Sequence, residues 1–186
     1  QKVYRFNYAK NEFVFCLTLP DSDGNIRFAR AYMGKLWIFV NNSGLYKIDM
    51  STFKIEDHYT LLTDYEGNSL RTFYIDKKGY IWFGTIDGIY IFDPTDGKLS
   101  HYKHSRTDPF SLPNNSIWEI SEDRQSNVWI GTYSGTLCYV NIDENNAFKT
   151  YHPQNSGLNH TPVSAFAEDQ QYLWVGTEGE GLYCLN

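Results

Sequence analysis

Three aspartates, Asp76, Asp123 and Asp169, stand at equivalent points along the chain, each at the end of an apolar run just before the turn into a tryptophan-bearing run. Two carboxylates can share acid–base work only when both reach one reacting atom. Groups a whole repeat apart do not converge in that way, and the type and place of these three fit turn-capping through side-chain oxygens. His101-Tyr102-Lys103-His104 has the i,i+3 spacing of zinc ligands on a helix. On a strand, alternation turns the two rings to opposite sides. Asp21-Ser22-Asp23-Gly24-Asn25 resembles the start of a calcium loop, but its twelfth position is Tyr32 where a bidentate Glu is required, so a plain turn is expected. Ser111, Ser116 and Ser134 lack the Gly-x-Ser-x-Gly context of an activated nucleophile. Cys16, Cys138 and Cys184 are odd in number and show no CxxC spacing, so free, buried thiols are expected, the last two at equivalent positions three residues after a glycine. No catalytic group, metal site or cofactor emerges from these residues.

What positions them is a repeat. Trp37, Trp82, Trp129 and Trp174 are separated by 45, 47 and 45 residues. Their phrases align as Leu36-Trp37-Ile38-Phe39-Val40, Ile81-Trp82-Phe83-Gly84-Thr85, Val128-Trp129-Ile130-Gly131-Thr132 and Leu173-Trp174-Val175-Gly176-Thr177. A glycine follows each Trp at six or seven residues (Gly44, Gly88, Gly135, Gly181), and then an apolar run begins. Self-similarity at a period in the forties is the signature of a repeat architecture.

Residues 116–151 read as one unit of that repeat. Strands are expected over 116–123, 128–132, 136–142 and 147–151, joined by short polar turns, with Gly135 free to take positive φ. The same template places strands near 70–76, 80–85, 88–93 and 98–103, and three more within 163–185. Ile117 and Ile120 fall on opposite faces of their strand, as do Val128 and Trp129 of theirs, so both faces are apolar. A radial β-propeller demands this, because every sheet packs a neighbour on either side; a two-layer sandwich leaves one face wet. The fold class expected is therefore all-β: about four four-stranded antiparallel blades forming a partial propeller over residues 1–186. Residues 1–20 end a preceding blade, 26–61, 69–103 and 116–151 are blades, and 163–186 is an incomplete one. The repeat tryptophans are expected to fill the layer between blades.

Composition narrows the function classes. With 41% hydrophobic and 17% aromatic residues the chain is globular, and a formal net charge of −6 without a Lys/Arg cluster disfavours nucleic acid. No apolar run reaches the roughly 18 residues of a helical membrane span, so no membrane contact by this segment is expected. No leader precedes Gln1, which is the reading expected of a processed or trimmed chain.

Phe110-Ser111-Leu112-Pro113-Asn114-Asn115-Ser116-Ile117, then Ile120, Glu122-Asp123 and Val128-Trp129-Ile130-Gly131-Thr132, closely resembles the two-component-regulator propeller repeat. Gly157-Leu158-Asn159, Glu168-Asp169, the Trp174 phrase and Gly181-Leu182-Tyr183 repeat the pattern, as do Ile75-Asp76, Gly79, the Trp82 phrase and Gly88-Ile89-Tyr90. The copy around Trp37 departs: Phe39-Val40 replace Gly-Thr, and Ala31 and Tyr32 stand where an acidic residue would end the first strand. The resemblance implies a periplasmic, non-catalytic sensor segment of a hybrid two-component system. Its kinase lies elsewhere in an inner-membrane-anchored parent, its typical signals are glycans or oligosaccharides, and its partners are the remaining blades or a second copy meeting an end blade.

Ligand-binding residues are expected in loops displayed by a rigid scaffold. The links between blades and the turns after the Trp strands should share one face, and the candidates there are Tyr133, Arg106, Asp87, Glu178 and His160. Trp118, the one Trp outside the repeat position, lies on an innermost strand and is a candidate to line the channel, with core packing as its other reading. Aromatic rings with neutral and acidic hydrogen-bonders suit sugar faces and hydroxyls. Two other classes remain open: a propeller enzyme of the quinone-dehydrogenase or streptogramin-lyase kind, and a purely structural interaction propeller.

Overall fold

Alternating apolar runs broken by polar turns give antiparallel meanders. The computed structural model describes residues 1–20, 24–62, 70–141, 147–151, 156–159 and 161–185. Contacts gather the chain into two units, Gln1–Asn68 and Ser69–Asn186. Among the described residues, no helix is long and apolar enough to cross a membrane.

In the first unit, β1 (Lys2–Asn7) pairs with β2 (Glu12–Thr18), and β3 (Ile26–Tyr32), β4 (Lys35–Val40), β5 (Gly44–Asp49) and β6 (Ile55–Tyr59) form a four-stranded meander. Its core joins Leu17 and Leu19 to Ile38, Val40, Tyr46 and Ile48.

The second unit contains two four-stranded meanders and a three-stranded one. They are β7 (Leu70–Ile75), β8 (Ile81–Thr85), β9 (Gly88–Asp93) and β10 (Lys98–Tyr102); β11 (Ile117–Glu122), β12 (Val128–Thr132), β13 (Leu137–Val140) and β14 (Lys149–Tyr151); and β15 (Val163–Glu168), β16 (Leu173–Thr177) and β17 (Gly181–Leu185). The first strands lie side by side, β7 against β11 and β11 against β15, as the innermost strands of successive propeller blades do. Every residue of β8 and β12 is buried, which is the two-faced burial expected of blades. The strand positions match the sequence reading to within about three residues.

Tryptophan fills the layer between blades. Trp82 packs with Ile120, Val128, Ile130 and Val140 of the following blade, and Trp129 with Val163, Leu173 and Val175 of the next. A buried aromatic removes roughly 150–250 Å² from water, an upper-bound contribution of about 4–6 kcal/mol at ~25 cal/mol per Å². The glycine two residues after each of these tryptophans has a steric cause. A Cβ on Gly84 would lie 2.7 Å from Ile117 Cγ2, and one on Gly131 would lie 2.6 Å from the Val163 carbonyl oxygen. The inner strand of the following blade therefore presses on bare backbone.

The repeat aspartates fasten these tryptophans. Asp76 Oδ2 accepts the Trp82 indole N–H at 2.8 Å, Asp123 Oδ2 that of Trp129 at 2.7 Å, and Asp169 Oδ2 that of Trp174 at 2.8 Å. The other oxygen caps the turn: Asp123 Oδ1 accepts the Gln125 and Asn127 backbone N–H groups, each at 2.9 Å. Burial raises the Asp76 carboxyl above its ordinary value, although the Trp82 and backbone donors oppose the shift. Donors dominate at exposed Asp169, where the Gln171 N–H, the Trp174 indole and the Tyr172 N–H hold the carboxyl below its ordinary value. The copy that lacks the aspartate shows the consequence: Trp37 Nε1 is buried without a hydrogen-bond partner among the described residues.

The glutamate preceding two of these aspartates joins one blade to the one before. Glu122 accepts the Lys77 backbone N–H at 2.7 Å, and Glu168 accepts the Arg124 backbone N–H at 3.1 Å. Threonine closes the far end of the Trp strand, Thr85 Oγ1 donating to the Gly88 carbonyl and Thr177 Oγ1 to that of Gly181, each at 2.9 Å.

The cysteines correct the sequence reading. All three are free, but only Cys138 is buried; Cys16 is half-buried and Cys184 exposed. Nor are the last two equivalent, since Cys138 pairs with Ile130 whereas Cys184 pairs with Trp174. Thr132 bonds across to Thr136, so Gly135 (φ 78°) sits inside its turn, while Gly181 begins β17 opposite Thr177. Counting from glycine thus slips by one residue, which turns the side chain to the other face. Desolvation at the buried site pushes the Cys138 thiol far up.

Three outcomes follow for stability. Gly131→Ala should cost about 1–3 kcal/mol in urea unfolding, and an unchanged midpoint would contradict the close approach of Val163. Asp123→Ala should cost a similar ~1–3 kcal/mol by leaving a buried indole donor unsatisfied, while Trp37→Phe, which removes no bonded donor, should not show that loss. The Asp76 contribution is present below the unfolded carboxyl pKa of about 4 and is lost as pH rises through the higher folded value. Asp169 behaves oppositely, its contribution being present above that unfolded value and lost as pH falls through the lower folded one. Relative to the parent, Asp76→Asn should therefore lose less stability at pH 7 than at pH 4; equal losses at both would overturn the assignment.

Candidate functional site: the bulged rim of the inner strands

Each inner strand breaks register at the same place. In the second unit the breaks fall between Leu70 and Thr72, Ile117 and Glu119, and Val163 and Ala165, leaving Arg71, Trp118 and Ser164 as the extra residues. A bulge frees its extra residue from the ladder and re-aims the side chain, a device common beside functional sites. In the first unit Arg27 occupies the same register position in β3.

Two sequence candidates meet at this rim. The Trp118 and Tyr133 rings lie 5.3 Å apart, tilted by 37°. Tyr133 follows β12 and is held there by its backbone N–H, which donates to the Ser116 carbonyl at 2.9 Å. It is 54% exposed, and Trp118 is half-buried. Sequence reasoning missed the third member. The Arg71 guanidinium lies 4.6 Å from the Trp118 ring centroid and 5.5 Å from that of Tyr133. Its signal was available, because Leu70-Arg71 and Ile117-Trp118 occupy the same phase of the repeat.

Glu178 stands at the same rim one blade later, its backbone N–H donating to the Pro162 carbonyl at 3.0 Å as that of Tyr133 does to Ser116. These bonds seat the turns after the Trp strands against the starts of the inner strands, as the shared loop face requires. Asp87 also lies in such a turn, but its carboxylate pairs with Lys103 at 2.6 Å and its carbonyl contacts His101 Nε2 at 2.8 Å. His104 Nδ1 contacts the Leu112 carbonyl instead, so the two histidines serve different carbonyls. Arg106 belongs to a separate cleft of about 520 Å³ formed by the 104–113 link with Asp108, Ser111 and Thr150. That link is bound to the scaffold: Leu112 is fully buried in the core, and Phe148 donates its N–H to the Phe110 carbonyl at 2.8 Å. His160, and Asp21 to Asp23 of the calcium-like loop, lie outside the described residues. A further cleft of about 240 Å³, not foreseen, opens between the last two blades and is lined by Trp129, Tyr139, Tyr151 and Tyr172.

Comparison with known proteins bears on this arrangement. The fold is similar to the extracellular domain of a B. thetaiotaomicron protein described as a hybrid two-component system, with TM-score 0.72 and 16% identity over 100% of this chain and 26% of that one. A second such domain from the same organism matches with TM-score 0.63 and 20% identity, over 96% of this chain and 23% of that one. Virginiamycin B lyase from Staphylococcus aureus matches with TM-score 0.68 and 14% identity, over 99% of this chain and 62% of that one. The chain thus spans about a quarter of the two-component relatives, and at these identities the likeness establishes the fold alone. No curated protein matches the chain. The two-component-regulator propeller model leaves out the divergent copy around Trp37 and matches residues 64–87, 111–134 and 157–179, so these three segments are two-component-regulator propeller repeats.

Proposed function

We propose that this chain is the extracytoplasmic sensing segment of a hybrid two-component system, and that it binds a glycan or oligosaccharide on the rim formed by Trp118 and Tyr133. The observation that carries this reading is the threefold match to the two-component-regulator propeller repeat. The rim supplies the ligand chemistry: a pair of half-exposed rings offers apolar faces to the C–H side of a sugar, and Ser164 and Glu178 on the adjacent blade offer hydrogen-bonding groups to hydroxyls. Binding is non-catalytic, and the response belongs to a kinase elsewhere in a parent anchored in the inner membrane with this segment in the periplasm. The likeness to virginiamycin B lyase keeps one enzymatic reading in view, and the same experiment tests it.

A ligand bound only by the native state raises apparent stability, by about 2.7 kcal/mol at a hundred times Kd. In a thermal-shift screen against oligosaccharides, streptogramin B and divalent metals, one glycan class should raise the melting temperature, and Tyr133→Ala should abolish that rise. A shift with the streptogramin or a metal, and with no glycan, would overturn the sensor reading.

A further inference from the structure

From the geometry of the same rim we infer that it is built for an acidic saccharide, with Arg71 as the group that takes the ligand's carboxylate. This rests on the proposal that the rim binds a sugar and adds the charge that the sugar must carry. Arg71 is a bulged residue on β7 and is half-buried, so part of the side chain remains reachable from solvent. Its guanidinium carbon lies over both rings, 4.6 Å from the Trp118 centroid and 5.5 Å from that of Tyr133. A cation–π contact leaves the N–H groups of a guanidinium that do not face the ring for an acceptor. Among the described residues, Arg71 Nη1 is buried without a hydrogen-bond partner and no carboxylate lies within ion-pair distance of Arg71. The acidic side chain of the neighbouring inner strand is engaged otherwise, Glu119 accepting the Thr72 hydroxyl at 3.4 Å.

An arginine with a buried, unpartnered nitrogen and no carboxylate within ion-pair distance among the described residues is unusual in a chain of net charge −6. A purely structural Arg–Trp stack would be equally served with its fork paired to one of the chain's 22 acidic residues. A carboxylate matches the fork bidentately, and charge-assisted pairs of this kind are the strong ones. The ring that bears the carboxylate would then lie against Trp118 and Tyr133. Its hydroxyls would extend toward Ser164 and Glu178, where a second carboxylate on the ligand would meet repulsion. The rim therefore fits a sugar acid charged at one end and neutral at the other, in preference to a uniformly anionic polymer.

The test uses the whole chain, with galacturonosyl-galactose, which carries one carboxylate, and its neutral counterpart digalactose as probes, titrated by calorimetry at low and high salt. Galacturonosyl-galactose should bind at least tenfold tighter than digalactose, with the margin shrinking as salt rises. Arg71→Gln should bring the two affinities together, and Arg71→Lys, which keeps the charge but not the fork, should restore only part of the difference. A melting temperature within a few degrees of the parent certifies each variant's fold; if Arg71→Gln fails that check, the Arg71→Lys ratio decides. Equal affinity for the two disaccharides, or an acid/neutral ratio unchanged by the Arg71 variants, would overturn the acidic-sugar inference and leave the glycan reading standing. No binding of either, together with no shift from any oligosaccharide in the thermal screen, would remove both.

Discussion

The hydrogen bond from a tryptophan indole to the aspartate that ends the preceding strand is the interaction on which the second unit depends. It solves two problems together. An indole large enough to fill the layer between two blades carries an N–H that must find an acceptor in a nearly dry site, and a tight turn needs its own backbone N–H groups satisfied. One carboxylate serves both, with Asp123 Oδ2 on the Trp129 indole and Oδ1 on the turn. The glutamate before it reaches the turn of the preceding blade, so Glu122-Asp123 and Glu168-Asp169 each act in two directions. Trp37 is the exception that shows the rule: with Ala31 and Tyr32 where the acid would stand, its indole nitrogen is buried and, among the described residues, unpartnered.

With packing assigned to the repeated tryptophans, ligand chemistry falls to residues that the ladder releases. The bulges of β7, β11 and β15 fall at one register position, and they hold an arginine, a tryptophan and a serine where the strands around them are nearly uniform. Side chains that carry no packing duty can vary in type without loss of the blade. The same division explains why Trp129 and Trp118, eleven residues apart, do different work: one is 7% exposed within a core cluster, the other half-buried against Tyr133 and Arg71.

Much of the fold was legible because the repeat is written in bulky, periodic residues. The strands, the two-faced burial and the layer of tryptophans follow from residue type and spacing alone. Less was legible where geometry depends on a single residue of register. Cys138 and Cys184 look equivalent by their distance from a glycine, but the Gly135 turn closes one residue later than that count assumes, and the two thiols end in different surroundings. Arg71 escaped because a lone arginine in an apolar run gives no signal until its phase is matched to that of Trp118. The indole bond escaped because nothing in the pattern tells which donors a turn aspartate will meet besides its own backbone.

The division of labour among the tryptophans is the central claim, and the indole N–H resonances of the chain, followed by nuclear magnetic resonance during titration with galacturonosyl-galactose, test it most directly. Trp82 and Trp129, bonded to Asp76 and Asp123, should exchange slowly with solvent and hold their positions, while Trp118 shifts with ligand. Movement of Trp82 or Trp129 with Trp118 unmoved, or rapid exchange of the two bonded indoles, would contradict the account.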